Sequence, residues 1–171
     1  MIAVHPTTPS NIPALVEYLT HLGPETRSRF APHAYDEATL HKLLIDESRH
    51  IAFIAREENG GPIVGYAVVR LYHEEYEKER FRKYGWGPDE ATDAFYAPSV
   101  ADDRQGKGIG TLLLNETKRS LQAMGKTRIL LWGGVQAGNE RALNHYRKAG
   151  FRELGGFEWN GWNLDMVLDI P

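Results

Sequence analysis

The stretch Gln105-Gly106-Lys107-Gly108-Ile109-Gly110 decides the fold, and it leads directly into a helical pattern from Thr111 to Met124. Three glycines in this short stretch leave backbone N–H groups uncovered by side chains. The start of the following helix adds unpaired N–H donors and the positive end of the helix dipole. Together these features predict a seat for a phosphate or pyrophosphate group, and therefore a nucleotide-type cofactor.

The composition is that of an ordinary globular protein. The chain has 171 residues, of which 42% are hydrophobic and 25% charged, so it does not have the composition of a disordered or coiled-coil protein. Its length predicts a single domain over residues 1–171. The net charge of −3 argues against nucleic acid as a partner. The absence of cysteine excludes disulfides, thiolate metal sites and cysteine nucleophiles.

The sequence also predicts where the protein works. The chain does not start with a basic segment followed by an apolar run, and it has no apolar stretch of about eighteen residues. We therefore expect a cytoplasmic protein that does not bind a membrane. We also expect no metal site.

The apolar periodicity predicts a mixed α/β sheet with the element order βααβββαβαββ. Strands are expected at Ile2–Val4, Ile51–Ala55, Ile63–Leu71, Thr92–Val100 and Arg128–Trp132, at Phe151, and at Asn163–Ile170. Helices are expected after Ser10 or Asn11, after Asp36, from Thr111 and after Asn139, and the third should bury Ile109, Leu112, Leu113, Leu121 and Met124.

Glycine-rich segments mark the predicted turns. Asn59-Gly60-Gly61-Pro62 predicts a hairpin, and Gly155-Gly156 and Asn160-Gly161 predict further turns. The segment Tyr72–Gly87 alternates charged and aromatic residues. It predicts a short amphipathic helix that covers the site or contacts a second subunit, with a solvated surface helix as the alternative.

Three kinds of glycine loop bind phosphates, and the residues around Gly108 distinguish them. A P-loop needs Gly-x-x-x-x-Gly-Lys-Ser/Thr, but here Lys107 precedes Gly108 and no hydroxyl residue directly follows the lysine. A dinucleotide-binding loop needs Gly-x-Gly-x-x-Gly and an acidic residue about twenty positions later. This chain has residues 129–131, Ile-Leu-Leu, at that distance. The third pattern, Gln/Arg-x-x-Gly-x-Gly/Ala, matches residues 105–110 in full.

This third pattern resembles the pyrophosphate loop of the GNAT superfamily of acyl-CoA-dependent N-acyltransferases. A second block, Asn139-x-x-Ala142-x-x-x-Tyr146-x-x-x-Gly150-Phe151, is similar to the other recurring motif of that family, which lies beside the thioester end of CoA. The two motifs stand in the family's order. The resemblance covers residues 92–154 closely and the rest of the chain by element order.

The resemblance implies a GNAT-like fold, an acetyl-CoA cosubstrate and specific cofactor contacts. It places the pyrophosphate on the backbone amides of the glycine loop and the pantetheine arm along the end of the preceding strand. The implied cofactor-binding residues are Pro98, Ser99, Val100, Gln105, Gly106, Lys107, Gly108, Ile109, Gly110, Thr111 and Asn139. Pro98 departs from the family pattern because it has no N–H to donate.

The resemblance makes Tyr146 the general acid of the transfer. A phenol with a pKa of about 10 can protonate a thiolate, whose conjugate acid has a pKa of about 8.5, at modest cost. In the alternative interpretation, Tyr146 only packs on its helix face with Ala142 and Leu143. Asn139 in turn serves as a helix N-cap, which is compatible with cofactor contact.

The general base is left open by the sequence. Asp93, on the strand before the glycine loop, is predicted to be catalytic with Tyr146, and Tyr96 is the other polar candidate there. His33 and His73 titrate in a suitable range, but a lone histidine in a loop is usually a surface residue.

The predicted function is transfer of an acetyl group from acetyl-CoA to a primary amine of a small molecule or amino-sugar. In the family, the acceptor contacts loops that correspond here to Gly23–Tyr35, with its two arginines, and Gly155–Trp162, with its tryptophans. These arginines can instead form surface pairs, and the tryptophans can close the core. Acetylation of a protein N-terminus or lysine remains an alternative function, and so does a CoA-binding sensor or assembly module. The sequence also leaves open whether the protein forms a homodimer.

Overall fold

The computed structural model describes residues 1–171, and its eight strands form a mixed sheet that is combined with helices. The strands are β1 (Ile2–Pro6), β2 (His50–Glu57), β3 (Ile63–Arg70), β4 (Asp93–Val100), β5 (Arg128–Leu131), β6 (Val135–Gln136), β7 (Arg152–Glu158) and β8 (Trp162–Asp169). The helices are α1 (Ile12–Thr20), α2 (Pro24–Arg29), α3 (Glu37–Ile45), α4 (Glu75–Lys83), α5 (Ile109–Ala123) and α6 (Glu140–Lys148). The predicted α/β class is confirmed.

The chain divides into two compact units. The first comprises Met1–Arg70 and Ala97–Arg119, and the second comprises Leu71–Tyr96 and Ser120–Pro171. Strand β4 and helix α5 each contribute residues to both units. The prediction of a single domain over residues 1–171 stays a prediction.

In the first unit, the strand order is β1-β2-β3-β4, and β2 pairs antiparallel with both β1 and β3. Asp36 caps α3, as predicted, by accepting a hydrogen bond of 2.8 Å from the Thr39 N–H. Gly65 in β3 allows α5 to approach closely, because a Cβ at that position would lie 2.9 Å from the Ile109 side chain. This close approach fixes the start of α5, where the glycine loop ends.

In the second unit, the first half of β4 pairs parallel with β5, β8 pairs antiparallel with β5 and β6, and β7 pairs with the same strand β8. A core of four buried side chains spans these elements and α4: Phe81, Phe95, Leu130 and Val167. Because successive residues of a strand point to opposite faces, Phe95 marks the face of β4 that is turned toward this core.

The structure adds three elements to the predicted order: α2, α4 and β6. Gly23-Pro24 was predicted to end α1, but that helix ends three residues earlier, at Thr20. The pair instead begins α2, because proline at the first helical position has a suitable φ and no N–H to satisfy. Helix α4 confirms the amphipathic helix predicted within Tyr72–Gly87. Two residues that were predicted to be buried on this helical face are not: Leu112, in α5, is 42% exposed, and Met124, directly after α5, is 45% exposed.

The prediction of a turn at Gly155-Gly156 is wrong, because both residues lie inside β7. The Tyr84 ring covers Gly155, and the Trp162 ring covers Gly156, so that a Cβ at either position would lie 2.4 Å from a ring atom. The two glycines therefore make room for aromatic rings. The other predicted turn, at Asn160-Gly161, is present, and both of its residues have positive φ.

Candidate active site

The glycine loop presents its backbone to open space. Gly106 and Gly108 have φ values of +76° and +83°, which residues with a side chain rarely adopt. No atom lies within 4 Å of the place that a Cβ would take at either position. These glycines are therefore required by the backbone conformation and not by crowding, and the space above them is free for a ligand.

The N–H groups of this loop are uncommitted. None of them from Gln105 to Gly110 donates to a protein acceptor, and the first to do so belongs to Thr111, whose N–H donates to the Gly108 carbonyl at 3.1 Å. The Gln105 side chain holds the loop in place by donating to the Val100 carbonyl at 3.2 Å. A run of free N–H groups that leads into a helix N-terminus is suited to bind an anion.

The end of β4 is only partly free to meet a ligand. Ser99 is buried, and its hydroxyl lies 3.1 Å from the Tyr18 hydroxyl. Burial raises the pKa of Tyr18 above its ordinary value, so this pair is neutral. The Ser99 hydroxyl is thus already used, and Pro98 offers no N–H. Backbone groups of Ser99 and Val100 remain the candidates for contact with the pantetheine arm.

A cavity of about 540 Å³ lies beside the segment that leads into the loop. Helix α1, the turn between β2 and β3, and residues 101–103 line it. Its walls carry charged groups of both signs, namely Glu17, Asp102 and Asp103 together with Arg56. This mixture favours no single ligand charge.

Asn139 and Tyr146 both lie in the second unit, on α6. Asn139 caps the helix, as predicted, by accepting a hydrogen bond of 3.3 Å from the Ala142 N–H. Tyr146 is buried, and burial raises the pKa of its phenol. Its ring packs against Phe151 with the ring centroids 5.2 Å apart. Tyr146 therefore holds its proton at neutral pH, as a general acid must.

Asp93 is enclosed by hydrogen bonds. Its Oδ2 lies 2.8 Å from both His73 Nε2 and the Asp89 N–H, and its Oδ1 accepts from Arg128 Nε at 2.5 Å and from the Thr92 hydroxyl at 3.2 Å. Burial raises the pKa of the carboxyl, but the bonds from His73, Asp89 and Arg128 outweigh burial and hold the pKa below its ordinary value. Asp93 is thus ionised, and its lone pairs are occupied.

The two histidines considered as bases are also engaged. The His33 ring contacts the Ala34 carbonyl through Nδ1 and the Tyr66 hydroxyl through Nε2 at 3.1 Å, and burial lowers its pKa. His73 is the buried partner of Asp93. Neither ring is the exposed loop residue that the sequence suggested.

The predicted acceptor loops differ in character. In the first, Arg29 pairs with Glu25 at 2.9 Å, and Arg27 donates to the Thr20 carbonyl, so both arginines are engaged within the loop region. In the second, Trp159 and Trp162 are 72% and 53% exposed. The tryptophans therefore do not close the core.

Comparisons with known proteins identify the class. The model of the acetyltransferase (GNAT) family matches residues 15–151. Among solved structures, the GNAT domain of S. lividans PAT is 19% identical, with a TM-score of 0.76 over 97% of this chain and 89% of that one. The structure of yncA from Salmonella typhimurium, solved with its cofactor acetyl-CoA, is 17% identical, with a TM-score of 0.69 over 100% and 95%.

The aminoglycoside acetyltransferase AAC(6')-Ib in complex with coenzyme A is 21% identical, with a TM-score of 0.70 over 99% of this chain and 95% of that one. No curated protein matches this chain. The family match spans most of the sequence, and the chain belongs to the GNAT acetyltransferase family. It is therefore an enzyme of the acetyl-CoA-dependent N-acetyltransferase class, as predicted.

No group of three or more His, Asp or Glu side chains is arranged to hold a metal ion. No helix combines the length and the apolar character needed to cross a membrane.

Proposed function

We propose that this protein transfers the acetyl group of acetyl-CoA to a primary amine of a small molecule or amino-sugar. The observation that carries the proposal is the run of uncommitted N–H groups from Gln105 to Gly110. Such groups suit a pyrophosphate, and the membership of the GNAT family makes acyl-CoA the natural source of that pyrophosphate. The fold similarity to an aminoglycoside acetyltransferase supports a small amine as the acceptor.

In this proposal, residues 105–111 hold the pyrophosphate through their backbone N–H groups. Backbone groups at Ser99 and Val100 contact the pantetheine arm, with Pro98 packing beside it, and Asn139 contributes a further contact. The loop has the right chemistry for this role, because its donors are free and its glycines leave space above the backbone.

The amine nitrogen attacks the thioester carbonyl directly, and the carbon–sulfur bond breaks. Tyr146 donates its proton to the departing thiolate. Burial keeps the phenol neutral before the transfer, and the same raised pKa increases the cost of releasing the proton. One proton leaves the nitrogen during the reaction, and one reaches the sulfur. Asp93 remains the predicted base, although its occupied lone pairs favour a structural role.

A thermal-shift measurement with a matched pair of variants tests the cofactor. Acetyl-CoA at a hundred times its Kd adds about 2.7 kcal/mol of stability, which raises the Tm by roughly 5–10 °C. Gly108→Ala and Gly85→Ala place alanine at equally positive φ values in equally open space, so each costs about 1–2 kcal/mol of strain. Only Gly108→Ala should also lose the acetyl-CoA shift.

The comparison has a clear negative result. Stabilisation by NADH or ATP in place of acetyl-CoA would contradict the proposal, and so would equal acetyl-CoA shifts in the two glycine variants. The acceptor is then sought in a panel of small amines and amino-sugars by the release of the CoA thiol. Because the protein contains no cysteine, a thiol reagent reports only that product.

A further inference from the structure

The start of helix α2 is bonded to a distant part of the chain. Its N-cap residue is Gly23, which has no side chain that could accept a hydrogen bond. Asp102, just after strand β4, supplies an acceptor in its place. Its Oδ2 accepts from the Gly23 N–H at 2.8 Å, and its Oδ1 accepts from the Thr26 hydroxyl at 2.6 Å. Helix α2 is thereby attached to the segment that leads into the glycine loop.

The Thr26 hydroxyl extends this contact to the glycine loop itself. Gln105 Nε2 donates to the Thr26 hydroxyl oxygen at 3.3 Å and to the Val100 carbonyl at 3.2 Å. An ionised carboxylate only accepts, so the single hydroxyl proton of Thr26 is directed to Asp102, and its oxygen is left to accept from the amide. The three side chains therefore form a chain of hydrogen bonds with one direction, from Gln105 through Thr26 to Asp102.

The far end of this chain of bonds is held by the sheet. On one side of Asp102, the Ala101 N–H donates to the Val64 carbonyl in β3 at 2.9 Å. On the other side, the Arg104 guanidinium lies 2.5 Å from the Glu57 carboxylate at the end of β2. All of these residues belong to the first compact unit. A residue that positions another must itself be held in place, and Asp102 meets this condition.

The glycine loop is a segment that needs such support. Its N–H groups from Gln105 to Gly110 are bonded to no protein acceptor, and its glycines have more conformational freedom than any other residue. Ordering a free segment on binding lowers affinity. Gln105 is the first residue of the loop. An amide held by one hydrogen bond can rotate about it, whereas the two acceptors, Val100 and Thr26, fix the orientation of this side chain.

We propose that Thr26 is a positioning residue, whose hydroxyl holds Gln105 and thereby presets the glycine loop for the pyrophosphate of acetyl-CoA. This inference rests on the proposed function, because it takes the loop to be the pyrophosphate site. Thr26 acts through Gln105 and needs no contact with the cosubstrate. It therefore raises the affinity for ligands that contain the pyrophosphate and leaves the affinity for ligands without it unchanged.

The variant Thr26→Val tests the proposal, because it keeps the shape of the side chain and removes the hydroxyl. Its Kd for acetyl-CoA, measured by titration calorimetry, should rise about three- to tenfold, the effect of one neutral hydrogen bond. Its Kd for S-acetylpantetheine, which lacks the pyrophosphate, should change less than about twofold. Thr26→Ser restores the hydroxyl and should bind acetyl-CoA like the wild type.

Thr39→Val is the matched control. The Thr39 hydroxyl donates to Asp36 Oδ2 at 2.8 Å in the first turn of α3, and this pair also combines a half-buried threonine with an exposed aspartate. Both variants lose a hydroxyl–carboxylate bond at a helix N-terminus, so we expect them to lower the Tm by similar amounts. Only Thr26→Val should weaken acetyl-CoA binding.

A second background tests whether Thr26 acts through Gln105. Gln105→Met has a side chain of similar length without N–H groups, so it already lacks the bond to Thr26. In that background, Thr26→Val should cause no further rise in the Kd for acetyl-CoA. An equal rise in both backgrounds would overturn the inference, because Thr26 would then act by another route.

The remaining outcomes separate the inference from the proposed function. If the wild type binds acetyl-CoA and Thr26→Val binds it equally well, the inference fails and the proposed function stands. The inference also fails if Thr26→Val weakens acetyl-CoA and S-acetylpantetheine equally, or if Thr39→Val weakens acetyl-CoA as much, because the cause is then a general loosening of the fold. If the wild type does not bind acetyl-CoA, the proposed function fails, and the inference fails with it.

Discussion

Two places on strand β4 treat their buried polar groups in opposite ways. At Asp93 the carboxylate accepts four hydrogen bonds, including one from the guanidinium of Arg128. Three residues later, the Tyr96 hydroxyl is equally buried and has no partner. Both groups are polar residues on the strand before the glycine loop, so the sequence alone does not separate them. Their partners do.

The contrast indicates what each place is for. A saturated carboxylate is held in one orientation and has a lowered pKa, which suits a structural joint better than proton abstraction. The Tyr96 hydroxyl is held by no such bond, so its removal breaks no hydrogen bond within the fold. We therefore expect changes at Asp93 to act mainly on stability, and changes at the proposed general acid Tyr146 to act mainly on turnover.

The largest expected effect belongs to Tyr146→Phe. Loss of the general acid should lower kcat about 10²- to 10⁴-fold, because the thiolate then leaves without a proton. The ring stays in place against Phe151, so the Tm and the acetyl-CoA thermal shift should be retained. Release of the CoA thiol measures the rate. If the variant turns over as fast as the wild type, Tyr146 is not the general acid and has only a structural role, as we expect for Asp93.

Asp93→Ala should act on folding with comparable strength. It leaves the Arg128 guanidinium and the buried His73 ring without their partner, and breaking a buried ion pair costs about 3–5 kcal/mol. Urea denaturation measures this loss. The control Asp169→Ala removes an exposed carboxylate 3.3 Å from Arg152, which should cost less than about 1 kcal/mol.

The activity of the same Asp93→Ala protein, measured below its Tm, decides between the two roles of Asp93. We expect a change of less than about tenfold per folded molecule, as for a residue that does not touch the reacting atoms. A fall of about a hundredfold or more with stability intact would instead identify Asp93 as the base.

The pH dependence of stability should separate Asp93 from Asp165, the other buried carboxylate. Burial raises the pKa of Asp165 more than its bonds from Arg80 lower it, whereas the pKa of Asp93 is lowered from an ordinary value of 3.8. The contribution of Asp93 is therefore present above that value and is lost as the pH falls through its folded pKa. The contribution of Asp165 is largest at low pH and is lost as the pH rises from 3.8 through its raised pKa.

Urea unfolding between about pH 3 and 6 tests these signs. Asp93→Asn should flatten the curve below the ordinary aspartate pKa, and Asp165→Asn should flatten it above that value. If both variants flatten the stability curve over the same pH range, the pKa values of the two carboxylates are shifted in the same direction, and the prediction is wrong.

The sequence predicts those features of the structure that depend on residues close together in the chain. The glycine loop, the caps at Asp36 and Asn139 and the turn at Asn160-Gly161 each follow from residues within a few positions, and the structure has all of them. Local backbone conformation is set by local chemistry, which explains this success. The family resemblance rested on two of these segments, the glycine loop and the block that begins at Asn139.

The parts that the sequence could not predict depend on distant residues. Asp93 is bonded by His73 and Arg128, which lie 20 and 35 positions away in the sequence. The residues next to Asp93 do not predict these contacts. Gly155-Gly156 has the composition of a turn, yet Tyr84, 71 positions before Gly155, covers it within a strand. Saturation of a polar group is a tertiary property, so it becomes visible only in the structure.

Asn139 stands between the two cases and gives the smallest predicted effect. Its Oδ1 is occupied by the cap at a long 3.3 Å, while its side-chain NH2 donates to no protein group. Asp36→Ala removes a tighter cap of 2.8 Å that also holds the Thr39 hydroxyl, and should cost about 1 kcal/mol. Asn139→Ala should cost about half of that in urea denaturation.

Acetyl-CoA binding then distinguishes these two caps. If the free NH2 of Asn139 contacts the cosubstrate, Asn139→Ala raises the KM for acetyl-CoA about five- to tenfold, the effect of one neutral hydrogen bond, whereas Asp36→Ala leaves it unchanged. The stability cost of Asp36→Ala is the larger of the two, so a general loosening of the fold would affect that variant more. If the two variants have the same KM for acetyl-CoA, Asn139 is only a helix cap and has a structural role, as we expect for Asp93.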